Sequence, residues 1–279
     1  HHNPNYLSSV EFHVEKLKLT NDINEAVAYA DFIIFSIPSA FLSSELAKMT
    51  ESLENKIIFS AIKGIVPETS LIVGEHFNKI YNIPFENIGV ITGPCHAEEV
   101  AMERLSYLTI AAAEKEHIDA LRELFTSDYI KVSCSKDILG NEYSAILKNI
   151  YAIAAGIASG LGYGDNFNAV LVSNAIREME LFLDAVYPEH REVNDSAYLG
   201  DLLVTAYSLF SRNRNLGNLI GKGYTVKSAV QSMSMVAEGY YATRGIYEIA
   251  YEKKLKTPII NTVFSILYEG KDAEKQFKK

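Results

Sequence analysis

Apolar runs of strand length alternate with helix-length segments in the first half of the chain. The runs are DFIIFSIPS, KIIFSAIKG, NIGVITGP, YLTIAAAE and YIKVSCS, between residues 31 and 135. Near-continuous apolar strands that alternate with helices are typical of a mostly parallel sheet covered on both faces. This pattern therefore predicts an α/β domain in the first half of the chain.

The strand pattern ends at about Gly140, and the rest of the chain has the pattern of one helix after another. Residues 141–161 form the first predicted helix, closed by a cluster of glycines, and Asp165 is a candidate cap for the next helix. We therefore expect an α/β domain over residues 1–138 and an all-α domain over residues 139–279. Cofactors and substrates commonly bind in the cleft between two such domains.

Composition excludes several classes of partner. The formal net charge of -9 argues against a nucleic acid or an anionic membrane, because both favour surfaces rich in Lys and Arg. The two cysteines, Cys95 and Cys134, form no CxxC pair, and the seven His residues lack metal-ligand spacing, so no disulfide framework and no metal site is predicted. We expect a cytoplasmic protein with no integral membrane contact.

A lysine interrupts the most apolar segment of the chain, AILKNIYAIAAGIASG from Ala145 to Gly160. On a helix, Lys148 shares a face with Ser144 and three alanines, so there is room for a small ligand beside its amine. A buried lysine has a lowered pKa and serves as a general acid or base near neutral pH. Alternatively, Lys148 extends to solvent or pairs with a carboxylate.

Two further segments follow predicted strands, and ligands gather at the carboxyl ends of parallel strands. In SAIKG, Lys63 is placed to hold an anionic or carbonyl oxygen, although lysines also occupy ordinary exposed turns. In GPCHAEEVA, residues 93–101, a turn leads into a helix whose first N–H groups are free to face the cleft. The alternative for this segment is a plain connection between a strand and a helix.

A local cluster of donors lies in GDLLVTAYSLFSRNRNLG, residues 200–217. Asp201 and Thr205 are one helical turn apart, and Ser211, Arg212 and Asn213 follow. Arginine and asparagine donors beside a serine hydroxyl suit a phosphate group, which needs several donors and positive charge. A structural group of salt bridges is the alternative.

Six motifs in this order resemble those of bacterial-type NAD(P)-dependent glycerol-3-phosphate dehydrogenases: SAIKG, GPCHAEEVA, LKNIYAIAAGIASGLGYGDN, GDLLVT, SRNRNLG and VAEGYYA. The resemblance covers nearly the whole chain. It implies a Rossmann-like α/β domain followed by an all-α domain, with hydride transfer between NAD or NADP and a small phosphate substrate. The reaction it implies interconverts dihydroxyacetone phosphate and sn-glycerol 3-phosphate for glycerophospholipid synthesis. It also implies a homodimer.

The resemblance assigns roles by matching position. Lys148 matches the general acid/base, and Lys63 matches a second lysine that contacts both substrate and cofactor. Asp201 and Thr205 match residues that orient the substrate hydroxyls and the lysine amine. The other positions matching substrate contacts are Gly93, Cys95, Asn149, Ser211, Arg212 and Asn213. The positions matching cofactor contacts are Lys63, Ala97, Arg212, Val236 and Glu238.

Two departures from the family pattern stand out. Cys95 occupies a position that is often Ser or Thr, which alters one hydrogen bond. No GxGxxG occurs in the 279 residues, so the loop for the cofactor pyrophosphate and the residue that separates NADH from NADPH are not among them. We expect a longer natural chain that begins with this βαβ unit. A chain beginning at His1 would bind dinucleotides weakly and have little activity.

Two other functions remain open from the sequence. One is a β-hydroxyacid dehydrogenase acting on a carboxylate substrate, since such enzymes also place a lysine and an asparagine on a central helix. The SRNR segment argues for phosphate instead. The other is a non-catalytic ligand-binding protein that retains the fold.

Overall fold

A computed structural model describes residues 2–278, in which an α/β half is followed by a helical half. Strands in the described residues are β1 (Phe32–Phe35), β2 (Ile57–Ser60), β3 (Ile65–Val66), β4 (Leu71–Ile72), β5 (Ile88–Thr92), β6 (Ser106–Ala112) and β7 (Ile130–Ser135). Helices of the first half are α1 (Ile23–Tyr29), α2 (Ser39–Leu46), α3 (Val73–Tyr81), α4 (Ala97–Ala101) and α5 (Lys115–Phe125). Short 3-10 turns span Val14–Lys16 and Phe85–Asn87.

Five of these strands form one sheet in the order β1-β2-β5-β6-β7. All neighbouring strands are parallel except β5 and β6, which are antiparallel. This confirms the predicted mostly parallel sheet, and each of the five apolar runs is one of its strands. Every residue of β5 is buried, as expected for a central strand with helices on both faces.

The hairpin of β3 and β4 was not predicted, because two-residue strands carry too little pattern. It begins directly after Lys63 and Gly64, and it ends where α3 begins. Ile65 and Ile72 of the hairpin pack into the core of the helical half. The hairpin therefore joins the end of β2 to the second half of the molecule.

The second half is helical, as predicted. Its helices are α6 (Ile138–Gly160), α7 (Asp165–Val186), α8 (Asp201–Tyr207), α9 (Arg212–Gly221), α10 (Val226–Ser232), α11 (Glu238–Glu252), α12 (Pro258–Glu269) and α13 (Ala273–Phe277). A single π-helical turn, Ser196–Gly200, precedes α8. Asp165 is the first residue of α7 and not its cap, which is Gly164. No helix in residues 2–278 combines the length and the apolar character needed to cross a membrane.

Helix α6 is the centre of this half, and every residue from Gly140 to Ala158 is buried. It begins three residues before the predicted start because the Asp137 side chain accepts a hydrogen bond from the backbone N–H of Gly140 at 2.9 Å. The main chains of α9 and α6 approach each other closely. A Cβ added to Gly217 of α9 would lie only 2.8 Å from the main-chain nitrogen of Ile157 in α6. This close approach sets the start of α9 beside the turn of α6 that carries Lys148.

Candidate active site

A cavity of about 310 Å³ lies where the carboxyl ends of β1, β2 and β5 meet the helical half. Residues after each of these strands line it, and helices α6, α9 and α11 supply the opposite wall. All the predicted site residues line this cavity except Gly93 and Asp201. Motifs far apart in the chain therefore meet in one place.

Lys148 pairs with a carboxylate and is buried. Its Nζ contacts Oδ1 of Asp201, and the two side chains are only 7% and 1% exposed. The alternative in which Lys148 extends to solvent is therefore wrong. The lysine is both buried and paired with a carboxylate. Burial lowers the pKa of Lys148 from 10.5 to about 8; the Asp201 charge opposes this shift and the Lys63 charge adds to it. An amine with such a pKa is present in both protonation states near neutral pH.

Asp201 begins α8 directly after the π turn, behind the cavity wall. Its Oδ2 is buried and has no hydrogen-bond partner within residues 2–278. Thr205, one turn later, donates its hydroxyl to the main-chain oxygen of Asp201 at 2.6 Å and lies 3.5 Å from its Oδ1. Thr205 thus contacts the partner of the lysine and also lines the cavity itself.

Lys63 approaches Lys148 from the α/β side. It follows β2 by three residues, at the end of the SAIKG segment, and lines the cavity. The side-chain amide of Asn149 donates to the main-chain oxygen of Lys63 at 3.1 Å. Two lysines therefore lie close together in the cavity, with Asp201 behind its wall.

The start of α9 provides donors at the far side of the cavity. The hydroxyl of Ser211 caps the helix by accepting from the N–H of Arg214 at 3.2 Å. Oδ1 of Asn213 accepts from the N–H of Gly239 at 2.9 Å, which leaves the amide N–H groups of Asn213 to donate elsewhere. Among the described residues Arg212 forms no ion pair within 4.0 Å, and neither does Arg214. The SRNR segment is therefore not a group of structural salt bridges.

The GPCHAEEVA segment contributes through its middle residues. Cys95 and Ala97 line the cavity, and burial raises the pKa of the Cys95 thiol, which disfavours a nucleophilic thiolate. Gly93 lies behind the wall with a φ of +106°, and a Cβ there would be 2.8 Å from the carbonyl oxygen of Tyr107. Only glycine fits this turn, so Gly93 shapes the wall without reaching the cavity.

Glu238 connects the two halves of the molecule. Its carboxylate accepts from the backbone N–H of Ser39 at 2.9 Å and from the Ser39 hydroxyl at 2.6 Å, which ties α11 to the start of α2. Burial raises the pKa of Glu238, and the nearby Arg212 opposes this rise. Val236, two residues earlier, also lines the cavity.

Sequence reasoning missed several residues of the wall. Ser36, Ile37 and Pro38 follow β1, and the strand-end rule that pointed to Lys63 applies equally to them. Tyr6 donates to Oε1 of Glu98 at 2.7 Å, and burial together with this bond raises its pKa to about 12. Tyr6 precedes every predicted element, so no sequence signal points to it.

A mostly parallel sheet whose strand ends share a cavity with a buried lysine on an adjoining helical half is typical of NAD(P)-dependent oxidoreductases. Family models described as the N-terminus and the C-terminus of NAD-dependent glycerol-3-phosphate dehydrogenase match residues 1–118 and 137–278. The chain belongs to this family. The resemblance stated from the six motifs is therefore confirmed.

Individual relatives agree with the family match. A protein of Macrococcus caseolyticus named glycerol-3-phosphate dehydrogenase [NAD(P)+] is 33% identical over 280 residues, covering 100% of this chain and 84% of the relative. A protein of the same name from Bacillus pumilus is 33% identical over 278 residues, covering 98% and 80%. The crystal structure of a Coxiella burnetii glycerol-3-phosphate dehydrogenase superposes with a TM-score of 0.87 at 26% identity, covering 95% of this chain and 81% of that one.

Proposed function

We propose that the protein is an NAD(P)-dependent glycerol-3-phosphate dehydrogenase that interconverts dihydroxyacetone phosphate and sn-glycerol 3-phosphate. The observation that carries the proposal is that Lys148 and Arg212 line one cavity. A proton donor at one side and an unpaired guanidinium at the other match a small ketone that carries a phosphate. The volume of about 310 Å³ is at the small end of ligand sites, which suits a three-carbon substrate.

Arg212, Ser211 and Asn213 hold the substrate phosphate in this proposal. A guanidinium forms paired, charge-assisted hydrogen bonds with phosphate oxygens, and Arg212 lines the cavity near Glu238 without forming an ion pair within 4.0 Å in the described residues. The free amide N–H groups of Asn213 add a neutral donor. Holding the phosphate fixes the distance between the carbonyl group and Lys148, which lowers the entropic cost of the reaction.

Lys148 delivers the proton in the direction of ketone reduction. Its ammonium donates to the carbonyl oxygen as negative charge develops there, and Lys63 stabilises that charge from the other side. Asp201 keeps the amine in place through Oδ1. Its second oxygen, Oδ2, is buried behind the cavity wall, so Asp201 acts on the substrate through Lys148. In the reverse direction the neutral amine of Lys148 accepts the proton.

NAD or NADP, when bound, supplies or accepts the hydride. The residues present fit such a cofactor, because the carboxyl ends of three neighbouring parallel strands open at the cavity, where dinucleotides bind on parallel sheets. Lys63, Ala97, Arg212, Val236 and Glu238 would hold it. Glu238 already accepts from Ser39, but a carboxylate has further lone pairs for a ligand hydroxyl.

Four related assignments belong to the same proposal. The α/β domain spans residues 1–138 and the helical domain residues 139–279, with the boundary at the start of α6. The enzyme acts in the cytoplasm, in glycerophospholipid synthesis, and as a homodimer. The two family models, which match residues 1–118 and 137–278, support the domain boundary, and the other assignments rest on the resemblance to the family.

The decisive assay follows the loss of NADH or NADPH absorbance by the full natural chain with dihydroxyacetone phosphate. We expect turnover with this ketone and none with unphosphorylated β-hydroxy acids in the oxidative direction. Oxidation of hydroxy acids without activity on the phosphate ester would favour the β-hydroxyacid dehydrogenase function. No turnover with either substrate class would favour a ligand-binding protein.

A further inference from the structure

The helix that carries Lys148 also holds the main chain of the second lysine. Asn149, the next residue on α6, is 5% exposed, and its Nδ2 donates to the main-chain oxygen of Lys63 at 3.1 Å. Lys63 itself belongs to the end of β2, in the other half of the molecule. One turn of α6 thus carries both Lys148, the proton donor, and Asn149, whose hydrogen bond holds the main chain of Lys63.

The peptide after Lys63 is held from the opposite side. A Cβ on Gly64 would lie 2.8 Å from the Cβ of Ser39, and closer still to the Ser39 hydroxyl and to Oε2 of Glu238. These two residues are hydrogen-bonded to each other. The segment Lys63–Gly64 therefore lies between α6 on one side and the Glu238–Ser39 pair on the other.

The start of α11 also packs against Asn149. A Cβ on Gly239 would lie 2.7 Å from the main-chain oxygen of Asn149 and 2.9 Å from Oδ1 of Asn213. Helices α6 and α11 therefore approach each other closely at this point, and the main chain of Asn149 packs against the start of α11. Its hydrogen bond is set by the packing around it.

We propose that Asn149 is a positioning residue whose side-chain amide fixes the Lys63 main chain, and thereby the place of the Lys63 amine beside Lys148. This role differs from the substrate contact that the family resemblance implies for Asn149. It rests on the proposed function only in that Lys148 is the proton donor. The contact itself is a property of the protein without ligand.

The position of the Lys63 amine affects the pKa of Lys148. The charged or titratable groups acting on Lys148 are Asp201 from α8, Lys63 from the end of β2, and His96 just before α4. Burial and the Lys63 charge lower the pKa of Lys148, and Asp201 raises it. A displaced Lys63 removes the repulsion, so the pKa of Lys148 rises.

The test is a 13C NMR titration of the lysine Cε signals in the full chain labelled with [13C]lysine, with Lys148 assigned by its loss in Lys148→Met. Asn149→Leu removes the donor at similar size, and Asn149→Ala serves as a second variant if the first folds poorly. We expect the pKa of Lys148 to rise by about 1 in either variant, the effect of one like charge a few ångströms away. Asn141→Leu is the matched control, because Asn141 is a buried asparagine of the same helix whose amide donates to Asp137.

A double-variant cycle separates positioning from general loosening. Lys63→Met alone should also raise the pKa of Lys148, and adding Asn149→Leu to Lys63→Met should change it no further. An unchanged pKa in the folded Asn149 variants would overturn the proposal, and so would additive shifts in the cycle. The titration needs no turnover. An inactive wild-type protein would therefore refute the proposed function, while the titration would still test the role of Asn149.

Discussion

Lys148 on α6 and Asp201 on α8, 53 residues apart in sequence, form a buried ion pair in which only one carboxylate oxygen is used. The second oxygen, Oδ2, is buried and has no partner in the described part of the chain. A buried pair with one unsatisfied acceptor is costly for folding, which fits a lysine that is buried for its chemical role.

Replacing Lys148 by methionine should remove the proton donor. We expect kcat for dihydroxyacetone phosphate reduction to fall by about 10²- to 10⁴-fold, the usual contribution of general acid catalysis. Steady-state kinetics measure this, with circular dichroism to verify the fold. A kcat within a few-fold of the wild type would exclude Lys148 from proton transfer.

Arg212→Ala should weaken binding of the phosphate. A charge-assisted hydrogen bond contributes about 1.5–3 kcal/mol, so KM for dihydroxyacetone phosphate should rise by about 10- to 100-fold. At saturating cofactor, the low rate with unphosphorylated dihydroxyacetone should stay the same. Arg214→Ala is the matched control, since Arg214 lies two residues away and does not line the cavity. Equal losses on both substrates would place Arg212 elsewhere in the reaction.

The pH dependence should reverse with the direction of the reaction. Burial lowers the pKa of Lys148 to about 8. Ketone reduction needs the ammonium form, so its kcat/KM should fall as the pH rises through about 8. Alcohol oxidation needs the neutral amine and should rise over the same range. Profiles with the same slope in both directions would contradict Lys148 as the titrating group.

Glu142 should make the protein less stable as the pH rises. Its carboxyl group on α6 accepts from the N–H of Gly74 at 3.0 and 3.1 Å, and burial raises its pKa from 4.5 to about 8. A raised pKa favours the protonated folded state, so this contribution is complete below pH 4.5 and is lost as the pH rises through about 8. Thermal melting at pH 5 and pH 8 measures the loss.

The matched variant for that experiment is Glu142→Gln, which stays neutral at every pH. Its melting temperature should change less between pH 5 and pH 8 than that of the wild type. Glu178 adds to the background, because burial raises its pKa to about 7. Equal changes in wild type and Glu142→Gln would show that Glu142 does not titrate in this range.

The sequence pattern alone predicted the strands of the five-stranded sheet and the long helices. Continuous apolar runs and the 3.6-residue helical period are both visible in consecutive residues. The β3–β4 hairpin was too short to leave a pattern. The small-residue face around Lys148 predicted a buried amine, whereas Asp201 was indicated as its partner only through the family resemblance, because the two residues are far apart in sequence. The role of Asn149 toward Lys63 likewise joins residues 86 positions apart.

A crystal structure of the protein with dihydroxyacetone phosphate tests the central claim most directly. We predict that the carbonyl oxygen lies within hydrogen-bond distance, about 2.7–3.2 Å, of the Lys148 Nζ while phosphate oxygens contact the guanidinium of Arg212. A phosphate bound away from Arg212, or a carbonyl group out of reach of Lys148, would contradict the account.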